Sequence, residues 1–169
     1  MSTFVFILMQ LALLAYALVA GVFLAFSDFI MRALSLTGGT GGIEAMQVIN
    51  REVFRWVFMA LFLGMAAVSL VVAGYGASTL AQPSGRPILL AGLVYLFGCF
   101  GVTVVFNVPM NEALARMELS QDATRAYWTD TYLPRWTFWN TVRAVACGVS
   151  AALLLVGLLW MTQAQAHQA

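Results

Sequence analysis

The chain has no lysine, and its one histidine, His167, sits in the polar tail "TQAQAHQA". Haem, non-haem iron and zinc sites lean on histidine. A body without it argues against a metal or haem centre, so no metal and no cofactor is expected. Cysteine is almost as scarce. Cys99 and Cys147 form no CxxC pair, which excludes that thiol–disulfide motif. Charge is short too: 9% of residues are charged, against about 25% in a soluble domain. A formal net charge of +1 offers nothing to nucleic acid. The glycines of "TGGTGG" (37–42) are not followed by Gly-Lys-Ser/Thr, so they are not a phosphate loop.

What the chain does have is apolar surface: 62% hydrophobic residues and a mean hydropathy of +0.89. This composition places it in the membrane. Four apolar runs stand out, at 4–26, 56–77, 87–106 and 142–161, each near the roughly 20 residues that cross a bilayer as helix. The expectation is an all-α fold: one four-transmembrane-helix bundle in a single domain over 1–169, with short amphipathic or interfacial helices in the first and third connections. The first run carries no charge and has no positive segment before it. It reads as a retained span rather than a signal peptide. "IEAMQVINREVFR" has helical amphipathic spacing that leads into the second span. "NEALARMEL" reads as a short surface helix behind Pro109, and "YWTDTYLPRW" as an aromatic interfacial segment.

Both long connections lie on one side of the membrane, with Arg32, Arg51, Arg55, Arg116, Arg125 and Arg135. The other side has Arg86 alone. The positive-inside rule then puts the long connections in the cytoplasm and both termini outside, in a bacterial cytoplasmic membrane. Beyond the lipid bilayer, the expected partner is a lipophilic aromatic small molecule. The oligomeric state is open, a homo-oligomer included.

Polar residues gather at the end of the spans nearest the long connections. They are Ser27, Asp28 and Arg32; Asn50 and Arg51; Asn107 and Asn111; and Asn140 and Arg143. Each has a plain alternative. Asp28 and Arg32 are spaced for a local ion pair, and Asn107–Pro109–Asn111 suits a helix stop. The Trp residues suit interfacial anchors, and Gly92, Gly98 and Gly101 suit close helix packing. Arg143 resists such a reading. In "RWTFWNTVRAVAC" the residues Trp136, Asn140, Arg143 and Cys147 share one helix face, with Trp139 beside them. An Arg at mid-bilayer costs roughly 2.5–3.5 kcal/mol on insertion scales. Facing inward, it needs acceptors such as the Asn50, Asn107 or Asn111 carbonyls, or the Asp28 or Glu112 carboxylates. Helical rise puts Cys99 and Cys147 at similar depth, about 10–12 Å below this polar layer; two small core residues satisfy the same spacing.

"GVFLAFSDFIMRAL", "IEAMQVINREVFR", "VVFNVPMNEALA" and "YWTDTYLPRWTFWNTVRAV" resemble the anthrone oxygenase family, over roughly residues 21–146. "NVPMN" and "W-x-x-WN-x-x-R" are the most specific elements. The resemblance implies a small four-span membrane protein. Some fungal members of that family oxidise polyketide anthrones to anthraquinones with O2 and no added cofactor. Carried onto this chain, it makes Arg143 the holder of an oxyanion. Asn107, Asn111 and Asn140, with Asn50, become groups that orient hydroxyls, and Asp28 or Glu112 the base. Trp136, Trp139 and Phe106 become the walls of an aromatic slot. One position departs: where bacterial members often read Trp-Asn-His-x-Arg, this chain has Thr141. Two other classes fit the residues: a non-enzymatic accessory or scaffold protein whose Asn/Arg network fixes packing, and a transporter or quinone-binding module. Transport needs a polar path across the membrane, and the polar groups stop at one end.

Overall fold

The computed structural model describes residues 2–55 and 57–166. Trp56, expected at the start of the second span, and His167 lie outside the described residues. In chain order the helices are α1 (Thr3–Ser35), α2 (Gly41–Glu52), α3 (Val57–Ser78), α4 (Gly85–Ala115) and α5 (Asp122–Ala164). All but α2 are long and apolar enough to cross a membrane. Among the described residues every regular element is helical, as a bilayer requires of spanning segments that must satisfy their own backbone.

α1 packs along α5, α5 along α4, and α4 along α3, while α3 touches α1 only lightly. Small residues permit the close approaches. A Cβ on Gly92 would lie 2.5 Å from the Ser69 carbonyl oxygen and 2.8 Å from the Ala73 amide nitrogen, so α4 meets the α3 backbone directly. Gly98 meets the Ala146 methyl on α5 in the same way. Polar pins cross the apolar core. The Tyr16 and Ser69 hydroxyls are 2.7 Å apart, and Ser69 in turn donates to the Met65 carbonyl at 2.6 Å. The Tyr95 hydroxyl donates to the Phe62 carbonyl at 3.0 Å. Cys99 and Cys147 are both free, fully buried and in contact, in line with the shared depth read from their spacing.

The helices run further than the apolar runs alone suggest. α4 does not stop at Asn107–Pro109–Asn111, and "NEALARMEL" does not begin a separate helix. α4 passes through π-helical turns at Tyr95–Gly101 and Thr103–Asn107 and resumes α geometry over Val108–Ala115. Pro109 sits in the first turn of that restart, where a missing N–H is tolerated. Pro134 has the same position after the π turn Trp128–Tyr132. The "YWTDTYLPRW" segment is therefore part of α5, which begins at Asp122 and not near Pro134. Only residues 116–121 of the third connection lie outside the two helices.

At about 1.5 Å per residue, the 43 residues of α5 reach roughly 65 Å. The hydrocarbon core is about 30 Å thick, so one end must project beyond it. The projecting ends of α1, α4 and α5 join α2 in a cap with its own apolar core. That core includes Met31, Ile43, Met46, Leu114, Trp128 and Tyr132. α2 turns Ile43, Met46, Gln47 and Asn50 inward, the i, i+3, i+4, i+7 face of an amphipathic helix. Gln47 donates to the Leu114 carbonyl in the last turn of α4 at 2.8 Å and to the Met117 carbonyl just beyond it at 3.0 Å.

The Gly92 approach gives a stability prediction with a built-in contrast. Gly92→Ala is expected to cost about 1–3 kcal/mol, since backbone atoms cannot give way. Gly64→Ala, with nothing within 4 Å of its new methyl, is expected to gain up to about 1 kcal/mol of helix propensity. Thermal unfolding in one detergent would check both; equal shifts would contradict the close α3–α4 contact.

Candidate functional site

Between the membrane core and the cap core lies a cavity of about 570 Å³. Most of its wall is apolar and aromatic, including Phe23, Phe26, Phe58, Phe62, Phe100 and Trp136. Its polar groups are Asn50, Glu52, Thr103, Asn111, Asn140 and Arg143.

Arg143 is 5% exposed and has no carboxylate partner among the described residues. The ion pairs there are Arg55–Glu52, Arg116–Glu112 and Arg125–Asp122. Neutral groups hold it instead. One terminal nitrogen donates to Asn140 Oδ1 at 2.6 Å and the other to Thr103 Oγ1 at 3.2 Å. Thr103 can accept because its own proton goes to the Cys99 carbonyl at 2.8 Å. The guanidinium carbon lies 4.2 Å from the Phe23 ring centroid and 5.4 Å from Trp136. Such cation–π contacts contribute about 0.5–2 kcal/mol each, comparable with the roughly 2.5–3.5 kcal/mol insertion cost. The Nε–H has no hydrogen-bond partner among the described residues.

Asn140 is aimed by its own donors. Its Nδ2 donates to the Phe23 carbonyl and to Ser27 Oγ, both at 2.6 Å, which leaves Oδ1 facing Arg143. Phe23 thus serves twice, its ring over the guanidinium and its carbonyl on the Asn140 amide. A π turn, Phe26–Ile30, follows it directly in α1. Such turns interrupt the regular helix ladder and recur at functional sites.

A second network ties the cap to the cavity wall. Asn111 Oδ1 accepts the Tyr132 hydroxyl and the Trp136 indole N–H, both at 2.7 Å. Asn50 Nδ2 donates to the Tyr132 hydroxyl at 3.3 Å. Asn107 Nδ2 donates to the Trp136 carbonyl at 3.3 Å, while its Oδ1 is buried without a partner among the described residues. Asn107 and Asn111, one turn apart on α4, therefore grip Trp136 by backbone and side chain. Trp128, Tyr132 and Trp136 stack at centroid spacings of 5.3 and 6.0 Å. Trp128 and Trp136 are buried rather than interfacial.

Of the residues singled out from sequence, the structure brings Arg143, Asn140, Asn111, Asn50 and Trp136 to the cavity. Asn107 supports that wall from behind. Three others lie elsewhere. Asp28 is exposed and pairs with neither Arg32 nor Arg143 among the described residues. Trp139 and Phe106 stack on each other at 3.6 Å with nearly parallel rings, outside the cavity lining. Glu112 is also exposed and pairs with Arg116. The carboxylate that does line the cavity is Glu52, which sequence reasoning passed over inside the charged run "NREVFR". Thr103 and Phe23 were passed over as well. Thr141 is exposed, donates to the Thr137 carbonyl and meets Ser27 at 2.9 Å. The position at which the resemblance leads one to expect His thus lies outside the cavity wall.

A family model described as anthrone oxygenase matches residues 51–153. The chain belongs to the anthrone oxygenase family. No curated protein and no solved structure matches it. The matched stretch contains α3, α4 and the part of α5 bearing the Trp136–Asn140–Arg143 face. The Phe23, Ser27 and Asn50 contributions to this anthrone oxygenase family member come from outside it.

Asn111 gives the next prediction. Asn111→Leu leaves two buried donors without an acceptor, at about 1–3 kcal/mol each. Tyr132→Phe removes one of those donors. Denaturant unfolding is expected to show a clearly larger loss for Asn111→Leu, and a double variant less destabilised than the sum of the two. Additive losses would mean the two side chains do not share a network.

Proposed function

We propose that the protein oxidises a lipophilic, anthrone-like aromatic with O2 in this cavity, at the cap end of a bacterial cytoplasmic membrane protein. The observation that carries the reading is Arg143: a buried cation with no carboxylate partner among the described residues, facing an aromatic cavity in a chain of this family. A volume of about 570 Å³ suits a small polycyclic ligand.

The chemistry follows from the substrate. An anthrone CH2 lies between two aromatic rings and opposite a carbonyl, so loss of a proton puts negative charge on the carbonyl oxygen. Arg143 stabilises that oxygen, an effect strongest where water is excluded. Glu52, which lines the cavity beside its ion-pair partner Arg55, takes the proton; neither Asp28 nor Glu112 lines the cavity. The electron-rich anthranolate passes one electron to O2, and the resulting radical and superoxide join at the same carbon as a hydroperoxide. Cleavage of the O–O bond with loss of water leaves the second carbonyl. The balance is one anthrone and one O2 to one anthraquinone and one water. Asn140 and Asn111 orient the substrate's oxygens, and Trp136 and Phe26 flank its rings.

The test is oxygen uptake by membranes containing the protein, supplied with a simple anthrone. Uptake above the autoxidation background is expected, with one O2 consumed per anthraquinone formed. Arg143→Ala should lower the catalysed rate by about 10²–10³-fold, the usual loss of an oxyanion contact. Glu52→Gln should slow it, whereas Asp28→Asn and Glu112→Gln should not. Rates equal to background in every sample would overturn the reading. The Arg asymmetry supports a cytoplasmic cap; a C-terminal alkaline phosphatase fusion is then expected to be active, and an inactive one would reverse the orientation.

A further inference from the structure

We infer that the cavity is loaded sideways from the bilayer, by a lipophile whose leading edge carries an acidic hydroxyl. This rests on reading the cavity as a substrate site and adds the route and the ligand's polarity. The rim residues carry the argument. Val22 on α1, Leu63 on α3 and Val104 on α4 all line the cavity, yet are 39%, 51% and 52% exposed. An exposed apolar side chain on a spanning helix faces lipid, so these three frame a gap between cavity and acyl chains. Leu63 lies about 9 Å along α3 from its start, and Val104 about 16 Å from the end of α4. Both depths fall below the cap.

The electrostatics point the same way. The alternative route runs from water past Glu52 and its ion-pair partner Arg55, a hydrated charged mouth in which a lipophile does not dissolve. The lateral route passes only apolar side chains and delivers the head to Arg143. There the unpartnered Nε–H, nine-tenths buried, supplies a free donor. A ligand that dissolves in the bilayer and ends in a phenol or enol hydroxyl satisfies both ends of the cavity. One that is charged along its whole length satisfies neither the rim nor the wall.

The experiment uses the full chain in lipid nanodiscs, with 1,8-dihydroxyanthraquinone as probe and quenching of tryptophan fluorescence as readout. Leu63→Trp and Val104→Trp narrow the gap and are expected to slow probe association at least tenfold. Val71→Trp, a lipid-facing control on the far part of α3, should leave it unchanged. Leu63→Ala and Val104→Ala widen the gap and should speed association, which guards against variants that merely fold poorly. Arg143→Ala should raise the probe's Kd at least tenfold. Anthraquinone-2-sulfonate, charged and water-soluble, should bind much more weakly. Rim variants with unchanged rates, or a sulfonate bound as tightly as the lipophile, would overturn the lateral route. Slowed association in rim variants of a protein that consumes no oxygen would uphold the route and sink the oxygenase reading alone.

Discussion

The structure turns on a buried guanidinium that has no carboxylate partner among the described residues. Arg143 sits at the boundary between two apolar cores, held by an amide oxygen, a hydroxyl and two aromatic faces. These neutral contacts are strong enough to keep it inside, but they do not cancel its charge. An internal carboxylate would have done so and would have filled the place of a ligand. The remaining positive field acts across a cavity with few polar groups, where Coulomb interactions are least screened. That combination favours an anionic oxygen over a neutral one.

The surrounding architecture keeps this cation in place. π turns in α1 and α4 lie within the layer joining the two cores, and one in α5 lies within the cap. They let long helices carry Pro109 and Pro134 without breaking, so the spans continue into a cap. The cap in turn supplies Tyr132 and Asn50, which lock Asn111 and through it Trp136. Wall and anchor therefore share one hydrogen-bonded network, and the Trp136 ring joins it to the cation through a cation–π contact.

The four spans and the inward stripe were legible from sequence because both depend on regular helical periodicity. Trp136, Asn140, Arg143 and Cys147 all lie on one α-helical face, and all four are buried. Periodicity failed where the helix is not α. Asp28 lies inside the π turn Phe26–Ile30, and Phe106 inside Thr103–Asn107. Each such turn adds a residue and rotates the faces beyond it, so 3.6-residue spacing misplaces them. Trp139 flanks the stripe, and the Phe106 ring occupies it instead of a ligand. Glu52 was hidden for another reason: a carboxylate in a charged run reads as solvated, and only the turn from α2 into α3 brings it to the cavity. Phe23 carried no signal, since an apolar residue in an apolar span does not reveal that its carbonyl orients an amide.

The most direct test is a structure of the protein in a lipid nanodisc with 1,8-dihydroxyanthraquinone bound. The account predicts an oxygen of the probe within hydrogen-bond distance of the Arg143 guanidinium, its rings between Phe26, Phe58 and Trp136. A probe seated elsewhere, or a guanidinium turned away to a carboxylate, would contradict the claim that Arg143 is kept free for a ligand.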